Sequence, residues 1–176
     1  MQNNIELSAC ITKNMYMGNT QLLQNMRFLH DNNISAVINL SGQKLVRIGD
    51  IDIFDFLLPA QELMDVEFPK TISKLETICQ TVNELICNNR NFLICCSDGK
   101  NKSPLTVGFY FIKYHKEEPN RIINYLETVY FSPELLAEHE VVGLSDGVPD
   151  SLHTARIEYR ALTMSSFRRM LRLLKN

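Results

Sequence analysis

The stretch Asn91-Phe-Leu-Ile-Cys-Cys-Ser-Asp-Gly-Lys-Asn-Lys-Ser103 leaves this chain the least freedom. It opens as an apolar run of strand length, Phe92 to Cys95, and breaks into a polar turn that holds Gly99. It resumes as a long apolar segment, Leu105 to Tyr114, with the character of a buried helix. Strand, tight loop and helix in succession bring backbone N–H groups together at a helix N-terminus, in a nest the size of a small anion. Cys96 stands where the strand gives way to the nest. A thiol so placed would face the positive end of a helix and several N–H donors, an environment expected to favour the thiolate. Cys96 is therefore a candidate thiolate nucleophile, with a loop above it that suits a tetrahedral oxyanion.

The rest of the chain has to supply a sheet and helices to hold that unit. At 176 residues it has the length of one domain, residues 1–176, and can bury roughly 70% of its unfolded surface. A net charge of −2 offers no basic track for nucleic acid and no pull toward an anionic membrane. The opening Met1-Gln-Asn-Asn-Ile-Glu6 lacks the basic and apolar regions of a signal peptide, and no apolar run approaches the ~20 residues of a membrane span. Five cysteines, Cys10, Cys79, Cys87, Cys95 and Cys96, are odd in number and lack paired ligand spacing. Reduced thiols in the cytoplasm or nucleus, in a protein that is not secreted, are the simple expectation. His30, His115, His139 and His153 are scattered without metal-ligand spacing, so no metal site is expected.

In chain order, two short strand-like pieces, Cys10-Ile11 and Met15 to Met17, end at the turn pair Gly18-Asn19. Thr20 is a plausible N-cap for a helix to about His30. The β-branched run Ile34 to Leu40 suits a buried central strand, and Ile51 to Leu58 reads as a further strand. Phe68 to Cys87 places Phe68, Ile72, Leu75, Ile78, Val82 and Leu85 at helical spacing. Pro119 suits the first turn of a helix reaching about Tyr130. Residues 131–159 read as an irregular elaboration, and a final helix begins near Ser165. The fold class expected is α/β: a central mixed, mainly parallel sheet flanked by helices, with the Cys96 loop at a strand-to-helix junction.

The spacing Cys96-x-x-Gly99-x-x-Lys102-Ser103 resembles the signature of the cysteine-based protein tyrosine phosphatases: histidine, cysteine, two residues, glycine, two residues, arginine, then serine or threonine. Three further stretches resemble the dual-specificity branch of that family. They are the Tyr16-Met-Gly-Asn19 turn, the strand Val37-Ile-Asn-Leu40 and the closing Ser165-Ser-Phe-Arg-Arg-Met-Leu171. Two positions depart from the pattern, with Cys95 in place of the histidine and Lys102 in place of the arginine.

The resemblance implies a metal-free, cofactor-free hydrolase that acts on phosphorylated proteins or peptides through a phosphocysteine. Cys96 would be the nucleophile, and Ser103 would steady the thiolate and help break the intermediate. Ser97, Asp98, Gly99, Lys100, Asn101 and Lys102 would surround the phosphate or a sulfate in its place. The leaving group needs a proton; counting back 31 residues from Cys96 gives Asp65, whereas the strand pattern points to position 60, which is Ala60. Lys102 offers a point charge where arginine would grip two oxygens with a planar fork. The loss of such a donor typically costs ~2.7–4 kcal/mol, or about 10²–10³ in rate, so weak turnover is expected. The rival is a pseudophosphatase that binds phosphorylated partners without turning them over. A further rival, an RNA 5′-phosphatase, rests only on Gly99-x-Asn101. Cys95 reads as a small core residue, as do Cys10, Cys79 and Cys87.

Overall fold

The structure, a computed structural model, describes residues 8–59 and 68–130. Strands β1 (Ser8–Cys10), β2 (Met15–Asn19), β3 (Ile34–Asn39), β4 (Asp52–Asp55) and β5 (Asn91–Cys96) form one sheet in the order β1-β2-β5-β3-β4. Only β1 runs antiparallel to its neighbour; the β2/β5, β5/β3 and β3/β4 pairs are all parallel. Parallel neighbours need crossovers. Helix α1 (Met26–Asp31) lies between β2 and β3, and α2 (Phe68–Cys87) leads into β5. Helices α3 (Lys102–His115) and α4 (Pro119–Tyr130) follow. The mainly parallel, helix-flanked sheet expected from the sequence is the one observed.

The middle strand explains the apolar run that announced it. Every residue of β5 from Phe92 to Cys96 is buried, because helices cover both sheet faces. Phe92, Ile94 and Cys96 join a core with Leu75, Ile78, Val82 and Leu85 of α2, Phe109 of α3 and Ile122 of α4. Leu93 and Cys95 point the other way, against Val37, Leu22, Leu23 and Leu29. Each such Leu, Ile or Phe contributes about 1.5–3 kcal/mol on leaving water. This core fixes the height at which β5 ends, and so the height of the Cys96 loop.

Several details differ from the sequence-based expectation, among them the first strand, which is Ser8–Cys10 and leaves Ile11 outside it. The helix expected from Thr20 is broken into a 3-10 turn, Thr20–Gln24, and the short α1, because the Asn25 side chain accepts from the Phe28 N–H and starts a new helix. Gly18 and Asn19 belong to β2, since pairing with Cys95 and Cys96 overrides their turn preference. Strand β4 stops at Asp55 because β3 ends at Asn39, whose carbonyl takes one last bond from the Phe56 N–H (2.9 Å). Cys10 and Cys87 are exposed, not core thiols; Cys10 lies on the edge strand and Cys87 is the last residue of α2. Cys79 and Cys95 are buried as expected. Among the described residues no helix is long and apolar enough to cross a membrane. Asp65, Ala60, the 131–159 elaboration and the helix near Ser165 lie outside the described residues.

Candidate active site

The carboxyl ends of the parallel strands converge on one edge of the sheet, where open α/β folds place their ligand crevices. Asn19 ends β2 beside Cys96, and Asn39 ends β3 beside Cys95. Cys96 closes β5, residues 97–101 turn, and α3 begins at Lys102, three residues earlier than the apolar run suggested. The turn depends on Gly99, which is buried at φ +71°, a left-handed conformation that side-chain-bearing residues rarely adopt. The first helical bond runs from the Leu105 N–H to the Asn101 carbonyl (3.0 Å). Asn101 makes no side-chain cap bond, so its amide leaves the first-turn N–H groups of α3 to other partners.

Cys96 is 2% exposed, and its sulfur lies within reach of the loop carboxylate of Asp98. The thiol donates to Asp98 Oδ1 at 3.4 Å, and Asp98 is itself exposed. Asp98 Oδ1 also accepts the Lys100 N–H (2.9 Å), and Oδ2 accepts the Asn101 side-chain amide (2.9 Å). Ser97, also exposed, donates from its hydroxyl to the Ser41 carbonyl at 3.5 Å, which joins the loop to the segment after β3. The buried Ser103 hydroxyl donates to the Gly18 carbonyl (3.3 Å) and ties the start of α3 to β2. Thus residues 96 to 103 run as strand end, turn and helix start, with the Ser103 hydroxyl bonded to β2 and the Ser97 hydroxyl to the chain after β3.

Lys102 is half-buried, and its ammonium donates to the Leu58 carbonyl at 3.2 Å. Lys74 of α2 donates to the neighbouring Leu57 carbonyl at 2.6 Å. Lys102 therefore ties the strip after β4 to the start of α3, and Lys74 ties it to α2. Lys100 remains exposed. Asn39, 1% exposed, anchors the next wall: its Nδ2 donates to Asp55 Oδ1 (2.7 Å) and the Gln43 carbonyl (2.6 Å), and its Oδ1 accepts the Ser41 N–H (3.0 Å).

The two adjacent cysteines differ because a strand alternates its faces. Burial pushes the Cys95 thiol up to about 12, helped by Cys96 and Asp55, which leaves it a neutral core group. Sequence reasoning did not find the Leu58 carbonyl, the Gly18 carbonyl or the inward carboxylate of Asp98. For the last there was a signal, since an aspartate two residues before Lys100 can accept its N–H in an Asx turn.

Strand, loop and helix in this order, with a cysteine at the junction, define a class of α/β protein built around a cysteine loop. No family model matches the chain, and no curated protein matches it in sequence. Solved structures match it in fold. A mouse dual specificity phosphatase complexed with zinc tungstate is similar at 13% identity over 95% of each chain, with a TM-score of 0.60. Human DUSP28 is similar at 10% identity over 74% of this chain and 88% of its own, also at 0.60. A leucine rich repeat and phosphatase domain containing protein from Entamoeba histolytica is similar at 20% identity over 70% of this chain and 78% of its own, with a TM-score of 0.53. The chain has the fold of the dual-specificity and protein tyrosine phosphatases.

Proposed function

We propose that this chain is a cysteine-dependent phosphatase of the dual-specificity type, with weak turnover on phosphorylated proteins or peptides. The observation that carries the proposal is the Cys96 sulfur within reach of Asp98, in a turn that ends at the N-terminus of a 14-residue helix. In the proposed reaction the Cys96 thiolate attacks phosphorus, an S–P bond forms and the P–O bond to the leaving group breaks. The departing oxygen takes a proton, with Asp65 the proposed donor. Water then cleaves the S–P bond and releases phosphate, with the Ser103 hydroxyl proposed to assist. The loop amides from Ser97 to Lys102 and the Lys102 ammonium are proposed to surround the phosphoryl oxygens. Tungstate, named in the mouse structure, is a tetrahedral oxyanion like phosphate, which supports an anion-binding role for the shared fold.

The test is steady-state hydrolysis of a small aryl phosphate by the wild type beside Cys96→Ser. Hydrolysis should vanish in the variant; a rate unchanged by the substitution sinks the mechanism. A second reading, a phosphate-binding pseudophosphatase, is favoured by the commitment of the Lys102 ammonium to the Leu58 carbonyl. Phosphopeptide binding without hydrolysis, in the wild type and in Lys102→Arg alike, would establish that reading instead.

A further inference from the structure

Both oxygens of the Asp98 carboxylate are taken up inside the cysteine loop. Oδ1 holds the Cys96 thiol (3.4 Å) and the Lys100 N–H (2.9 Å), and Oδ2 holds the Asn101 amide (2.9 Å). A simple Asx turn needs only one of these, the bond to Lys100. Here a backbone donor, a side-chain amide and the thiol all converge on one carboxylate. The Lys100 N–H and the Asn101 amide are donors that an oxyanion seated over the sulfur could use. The closest loop cation in sequence that the structure ties down, Lys102, is directed instead to the Leu58 carbonyl.

We propose that Asp98 is an internal anion that occupies the loop in place of a phosphoryl group and so sets the affinity of the site. This rests on the phosphatase reading, since it presumes that the loop takes oxyanions. An incoming phosphate has to displace the carboxylate from the Lys100 N–H and the Asn101 amide, or share the turn with a charge of its own sign. Asp98 is exposed, so its side chain is able to rotate outward into water, on the fast timescale of surface rotamers. That makes the occupant removable, and its cost moderate because solvent screens it.

Asp98→Asn keeps a side-chain oxygen for the Lys100 N–H and removes the charge. The experiment is calorimetric titration of sodium tungstate at neutral pH into wild type and Asp98→Asn, at low salt and at about 0.5 M salt, with circular dichroism to check folding. Asp98→Asn should bind about tenfold tighter at low salt, about 1.4 kcal/mol. The gap should narrow at high salt, because it arises from like-charge repulsion. Binding by Asp98→Asn that is equal to or weaker than wild type overturns the proposal and leaves the phosphatase reading standing, because Asp98 is then only a brace for the turn. A gap indifferent to salt overturns it too. Failure of both proteins to bind tungstate removes the phosphatase reading, and this proposal with it.

Discussion

Replacing Lys102 by arginine separates an impaired catalyst from a binding module. The lysine donates to the Leu58 carbonyl at 3.2 Å from a half-buried position at the first turn of α3. A guanidinium has five N–H donors in a planar fork, so it can keep Leu58 with one and offer the others to the phosphoryl oxygens. One preorganised donor to the transition state typically contributes ~2.7–4 kcal/mol. Because the tie to Leu58 restrains the fork, we take the lower end, a gain of about 10² in kcat/KM. Affinity for inorganic phosphate should change by much less, since the charge is the same. The assay is hydrolysis of an aryl phosphate, with phosphate affinity measured in parallel and thermal melting to check the fold. A value of kcat/KM indistinguishable from wild type in a folded, phosphate-binding variant refutes the reasoning. It would mean that position 102 serves only to hold the strip after β4.

Other outcomes are expected from the same structure. Iodoacetamide at pH 8 should modify Cys10 and Cys87, which are exposed, and spare Cys79 and Cys95, which burial pushes up to about 12; peptide mass spectrometry reads this directly. Those two raised values also have a sign for stability. The folded chain keeps two protons that the unfolded chain loses near the ordinary value of 9.0, so resistance to urea should be level below pH 9 and fall between 9 and 12. Ser103→Ala removes a buried donor to the Gly18 carbonyl and should lower stability by about 1 kcal/mol in urea unfolding. Asn39→Ala abolishes three hydrogen bonds at once and should cost about 2–3 kcal/mol, measured the same way.

What the sequence disclosed follows the range of the forces involved. The runs Ile34–Leu40 and Phe92–Cys95 announced strands because both faces of a central strand are covered, and β3 and β5 are those strands. Helix α2 was found from Phe68 to Cys87 because a long amphipathic period carries its own limits. Local competition was harder to see. The Asn25 side chain splits one expected helix by capping Phe28, while the apolar spacing of Leu22, Leu23, Met26 and Leu29 continues across the break. Cys10 and Cys87 are exposed because one lies on the edge strand and the other ends a helix, positions that composition does not reveal. In the site, the order of Cys96, Gly99, Lys102 and Ser103 was visible as spacing. Their partners were not, because the Leu58 and Gly18 carbonyls are 44 and 85 residues away along the chain.

A crystal grown in saturating phosphate bears most directly on the role of Cys96. A tetrahedral anion should stand over its sulfur, with N–H groups of residues 97–102 within hydrogen-bond reach, about 2.7–3.2 Å. An empty loop under those conditions, with the thiol turned back among Phe92 and Ile94, would contradict both the phosphatase and the phosphate-binding readings.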